Sequence, residues 1–168
     1  LVAGTNITIT TDASTDSITI NSTASGGSSA FTSLTDVPSG LTVAQIYEPA
    51  IAMLRVDNDG TSAYTFSSHY AGNNPNLYAI SGTTIAFDLT AASGHPFEIQ
   101  DPTSTAYNTG LVHVATNGTV STGAAAQGKD SGVLYWRIPS SISGNYRYQC
   151  QSHIAMVGAI TIKNISLI

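Results

Sequence analysis

From residue 52 onward the chain is cut into strand-length pieces, and no stretch is long enough, with the right period, to be a helix of ordinary size. Residues 53–56 and 64–66 flank an Asp57-Asn58-Asp59-Gly60 turn, a hairpin signal. Leu77–Ile80 and 83–89 flank Ser81-Gly82, and further runs cover 95–100, 111–115, 133–138, 145–150 and Val157–Lys163. Within several of these runs apolar side chains recur every second residue, which is the period of a half-buried strand. Eight or nine short strands separated by Gly, Pro and Asn turns predict a β-sandwich. Residues 116–131, rich in Gly, Ala and Thr, read as a surface excursion. In the 133–138 run, alternation puts one of Tyr135 and Trp136 in the core and the other outside.

The first 25 residues are organised differently. Two alternating runs, 5–10 and 16–21, each carry isoleucines two apart, and 12–15 supplies a turn between them. Such a hairpin has too small an apolar face to stand alone and needs a partner. A Gly/Ser-rich linker over 22–29 follows. Residues 42–47 allow one helical turn before Pro49 stops it. The expected organisation is therefore a hairpin, linker and attachment segment over 1–41, then a sandwich domain over 42–168.

Charged residues make up only 9% of the chain and the net charge is −5. Arg55, Lys129, Arg137, Arg147 and Lys163 are scattered, so there is no basic stripe for nucleic acid. No apolar run reaches transmembrane length, so membrane insertion is not expected. A polar, weakly charged, Thr-rich surface suits secreted or particle-surface β-proteins. One cysteine cannot form an internal disulfide, and a free thiol is safest buried or bound to metal.

That cysteine lies in the most informative stretch, GNYRYQCQSHIAMVGAITI over 144–162. Cys150 is followed at three-residue steps by His153 and then Met156, on a tight loop between two strand-like runs. A thiolate, an imidazole and a thioether form a soft, mixed donor set that suits copper once a second imidazole joins it. His95, in SGHPFEI about 55 residues upstream, can supply one. Histidine at the start of one strand, then Y-x-C-x-x-H-x-x-M-x-G near the C-terminus, resembles the cupredoxin (blue-copper) family over roughly residues 53–163. The C-x2-H-x2-M spacing is that of its amicyanin-type loop. The resemblance implies an all-β, cupredoxin-like Greek-key β-sandwich. It also implies His95, Cys150 and His153 as equatorial copper ligands, with Met156 as the weak axial one. Two departures stand out. Many family members follow the first histidine with Asn, whose side chain steadies the cysteine loop, whereas Pro96 stands here. Many place Pro after the second histidine, and here Ile154 does.

A second resemblance covers roughly 1–41. The segments VAGTNITIT, DSITIN and FTSLTDVPSGL are similar to stretches of bacteriophage tail-fibre and other virion appendage proteins, whose hairpins associate as trimers. This implies a virion structural protein, either a tail fibre or a capsid fibre or decoration. It would be homotrimeric, contact other virion proteins, and carry its outer domain toward a host-surface receptor or glycan.

Other chemistries are poorly represented. There is no G-x-S-x-G, no H-E-x-x-H and no nucleophile with an identifiable base, so an enzyme is not expected. Asp57-Asn58-Asp59-Gly60 opens like a calcium loop but lacks the acid at its twelfth position. His69 and His113 have no partner spacing and read as surface or structural residues. The expectation is thus a virion appendage subunit whose copper ligands are retained or repurposed, and the alternative is a secreted or periplasmic blue-copper electron carrier.

Overall fold

A computed structural model describes residues 7–15, 17–22, 50–67 and 69–165. It divides into two units, 1–40 and 41–168. In the first, β1 (Ile7–Asp12) and β2 (Ser17–Ser22) pair antiparallel, with Ile9 opposite Ile20. The predicted turn is present: the Asp12 carboxylate accepts bonds from the Ser14 amide (2.9 Å) and hydroxyl (2.6 Å). The linker over 22–29, the 31–39 segment and the helical turn at 42–47 lie outside the described residues, apart from Ser22 at the end of β2.

The second unit is the expected all-β sandwich. Its strands are β3 (Ala52–Arg55), β4 (Asp57–Asp59), β5 (Ala63–Thr65), β6 (Leu77–Ile80), β7 (Thr84–Asp88), β8 (Phe97–Gln100), β9 (Leu111–Val114), β10 (Val120–Thr122), β11 (Val133–Arg137), β12 (Gly144–Cys150) and β13 (Val157–Lys163). One sheet has the order β10-β9-β11-β7-β3 and the other β6-β13-β12-β8. The chain passes from the first sheet at β3, through a separate β4–β5 pair, to the second at β6, and changes sheet again between β6 and β7, β7 and β8, β8 and β9, and β11 and β12. Pairing is antiparallel except at β3 with β7 and β6 with β13, both parallel.

Alternation explains how each strand contributes to the core. Phe97 and Ile99 of β8, Tyr146, Tyr148 and Cys150 of β12, and Leu77 and Ala79 of β6 all bury their side chains, while Glu98, Arg147 and Tyr78 between them are more exposed. They meet Leu134 and Trp136 of β11 and Ile85 and Phe87 of β7 in one cluster between the sheets. Phe97 and Tyr148 stack with centroids 5.8 Å apart, and Tyr64 meets both edge-on. Opposite Tyr148 in the β12–β13 register stands Gly158. Any Cβ there would run into the Tyr148 hydroxyl end, so glycine makes room for the ring.

Three details differ from the sequence reading. Asp57–Asp59 is itself a strand, paired with β5, and the turn lies further on at 60–62. The polar triplet is held in place by its surroundings, since the Asn58 side chain donates to Ala91 O at 3.2 Å. Tyr135 and Trp136 are both buried. Trp136 points into the main core, whereas Tyr135 packs on the other face of its sheet with Ala86 and Val114. The 116–131 stretch is no simple excursion either: it holds β10, a 3-10 turn over Gly123–Ala126 and a fully buried Ala126. Gln127 then clamps β8, accepting from Ile99 N–H and donating to Ile99 O and Tyr107 O at 2.8–2.9 Å. No helix among the described residues is long and apolar enough to cross a membrane.

Candidate metal centre

The two ligand-bearing segments meet because β8 and β12 are hydrogen-bonded neighbours, with Cys150 opposite Phe97. His95 lies two residues before β8 starts and Cys150 is the last residue of β12, so antiparallel pairing brings both to the same end of the sheet. The Gln151 amide donates to Pro96 O at 2.9 Å, which fastens the loop to the segment beside it. The loop closes through Cys150 N–H to Met156 O (2.9 Å) and Met156 N–H to His153 O (3.1 Å).

Within this frame His95, Cys150 and His153 present one nitrogen or sulfur each, all within 4.8 Å of one another. The two Nδ1 atoms are 3.2 Å apart, and the Cys150 Sγ lies 3.5 Å from His153 Nδ1. These spans match donors placed around one ion at bond lengths of about 2.0 Å for nitrogen and about 2.3 Å for sulfur. The donor set fits the metal implied by the sequence, since thiolate and imidazole together favour copper or zinc over hard cations. Among the described residues no other group of histidine, cysteine and acidic side chains is so placed.

Burial grades across the site. Cys150 is buried, His95 nearly so, and His153 is half-exposed beside Ile154, which is 90% exposed. Burial, and then the neighbouring His153, hold His95 below the ordinary imidazole value, while Asp130 acts weakly in the opposite sense. A neutral ring with a free lone pair is the form a metal needs. Met156 is fully buried within the core that also holds Cys150. Tyr64 adds a hydroxyl beside them: it donates to His95 O at 2.7 Å, and burial, followed by the nearness of Cys150, raises its pKa well above the ordinary phenol value.

The other two histidines are elsewhere. His113 is buried and bonded through Nε2 to Ser131 O at 2.7 Å, and His69 is exposed. Two residues that sequence reasoning missed touch the loop directly: Gln149, whose amide reaches its carbonyls, and Asn74, which bonds to Ala155 O. Asn74 lies about 80 residues away from its partner, and no local pattern announces such a contact.

No protein-family model and no curated protein matches this chain. Solved structures similar to it include a reduced Cu(I) form of an amicyanin variant, at 16% identity and a TM-score of 0.36, covering 73% of this chain and 90% of that one. Another is a purple cupredoxin from Nitrosopumilus maritimus, at 20% identity and a TM-score of 0.37, covering 67% of this chain and 99% of that one.

Proposed function

We propose that the 42–168 domain is a cupredoxin-like copper-binding module that exchanges single electrons. One observation carries this reading: three soft donors from segments about 55 residues apart in sequence converge within 4.8 Å at one end of a rigid sandwich. Copper held there would supply a one-electron couple between its two common oxidation states. The chain's own part is to bring Cys150 and His95 to a shared point, keep water from the sulfur and leave the His153 edge close to solvent. Met156, buried at the end of the loop, is the fourth ligand in this proposal. Such a module is a carrier rather than a catalyst.

The test is titration of purified protein with Cu(II), Cu(I) and Zn(II). The expected result is one equivalent of Cu(II), with a strong visible thiolate-to-copper absorption that ascorbate bleaches reversibly. A colourless product, or zinc bound in preference to copper, would overturn the assignment.

A second reading concerns residues 1–41 and is compatible with the first. Ile18 on β2 is 60% exposed, and a lone two-stranded hairpin is marginal in water. That favours association with further copies, as in a trimeric virion appendage that displays the sandwich outward toward a host surface. Deleting residues 1–41 should then convert a trimer into a folded monomer by light scattering. An unchanged mass would remove the hairpin from any role in assembly.

A further inference from the structure

We infer that Gln149 and Asn74 are positioning residues that set the shape of the 150–156 turn, and hence the spacing of its donors, before any ion arrives. The inference rests on the copper reading and concerns how the same donors are held. Pro96, next to His95, has no polar side chain with which to steady the turn. Something else must organise its carbonyl groups.

Gln149 stands one residue before Cys150 on the outward-facing register of β12, beside Arg147, yet it is only 8% exposed. Its Nε2 sits 3.0 Å from Cys150 O, 3.2 Å from His153 O, 3.3 Å from Met156 O and 3.5 Å from Ile154 O. An amide nitrogen has two protons, so it shares them among these four carbonyls rather than serving one. The orientation of the amide is fixed chemically. Turning it over would aim the oxygen at a ring of carbonyl oxygens and the NH2 at Arg147, whose Nη2 now lies 3.3 Å from Oε1. A side chain that fills the concave side of a turn and bonds to residues on both of its limbs fixes their separation. Those limbs carry Cys150 and His153.

Asn74 approaches from another side. Its Nδ2 donates to Ala155 O at 2.9 Å, while its Oδ1 accepts from Tyr64 N–H at 2.9 Å and its own N–H donates to Tyr64 O at 2.8 Å. Tyr64 in turn donates through its hydroxyl to His95 O. One connected path therefore runs from the cysteine turn to the segment that supplies the other imidazole. Asn74 holds a backbone φ of +48°, a left-handed conformation that asparagine tolerates better than most residues. Two amides thus cover the carbonyls of five turn residues, and neither touches a donor atom.

The test uses Gln149→Met, which keeps length and removes the donors, with Asn74→Asp as an independent second variant that keeps the acceptor for Tyr64. Two readouts are needed. In metal-free protein, hydrogen exchange at the Cys150 and Met156 amides should be at least about tenfold faster in Gln149→Met, while β7 and β11 amides keep wild-type rates. In copper-loaded protein, affinity for Cu(II) should fall about tenfold, the size typical of losing an outer-shell partner, and the thiolate absorption should shift. Asn74→Asp should move both in the same direction by less. Wild-type exchange at the turn in both variants would overturn the proposal. So would faster exchange with an unchanged copper spectrum and affinity, which would leave these amides a purely structural part. Should wild-type protein give no thiolate absorption at all, the copper reading falls, and the exchange rates alone then decide whether the amides shape the turn.

Discussion

His113 and His95 are both removed from solvent by the same sandwich, but they have been given opposite surroundings. His113, within β9, must carry its proton on Nε2, because the Ser131 carbonyl 2.7 Å away can only accept. Among the described residues it belongs to no group of three or more histidine, cysteine or acidic side chains placed to hold a metal ion. At the other place His95 directs Nδ1 toward His153 Nδ1, with the Cys150 sulfur beside them, and its backbone rather than its ring is tied down by Tyr64. Burial of an imidazole is therefore not what makes a site. A site arises where backbone bonds position the residue and leave the ring nitrogen facing other donors.

The sharpest way to break this contrast is to exchange the losses. Cys150→Ser should abolish the visible copper absorption completely, whereas His113→Leu should leave its wavelength and intensity unchanged; ultraviolet–visible spectra of the two loaded proteins settle it. The reverse holds for folding. His113→Leu removes the bond to the Ser131 carbonyl and should cost about 0.5–1.5 kcal/mol in urea denaturation of metal-free protein. A loss of copper colour in that variant, with its fold intact, would erase the distinction.

How much of this contrast could be read in the sequence depends on the distance over which each contact acts. Alternation in 145–150 and Val157–Lys163 gave both strands flanking the loop, and Cys150, His153 and Met156 lie close enough together to announce themselves. His95 needed the pairing of β8 with β12, and the run beginning at 95 made that a reasonable expectation. Alternation was a poor guide at Tyr135, because both faces of the central β11 are covered. It also failed at Asp57–Asp59, where cross-strand and side-chain bonds rather than propensity make the strand. The burial of Gln149 was illegible for a related reason: a polar residue at an outward register position looks like surface until the turn beyond it folds back over the amide.

Acidity offers a milder probe. Burial holds His113 below the ordinary imidazole value; the bond to Ser131 O opposes this and Lys129 adds to it. The unfolded chain therefore binds more protons than the folded one once pH falls below about 6.5. Stability from this residue is complete above that value and is lost as pH drops through it toward the lower folded value. Urea midpoints of metal-free protein between pH 7.5 and 5 should decline, and more gently in His113→Leu. Part of the slope should survive, because burial also depresses His95.

The smallest expected effect is that of Tyr64→Phe, which keeps the ring among Phe97 and Tyr148 and removes the hydroxyl that donates to His95 O and lies near Cys150. A loss of about 1 kcal/mol in thermal or urea unfolding is expected, with less than about a tenfold change in copper affinity. An effect as large as that of Cys150→Ser would place the phenol among the groups that touch the metal.

The parallel pairing of β6 with β13 has a consequence for how the molecule assembles. Leu77–Ile80 finds its neighbour only when Val157–Lys163 arrives, so one sheet is closed by a contact spanning most of the domain. Long-range pairings of this kind slow folding. The thiol-bearing turn is the connection that leads into that final strand. The stretch that carries Cys150 and His153 is thus tied on one side to β8, through β12, and runs on the other into the strand that closes the sheet.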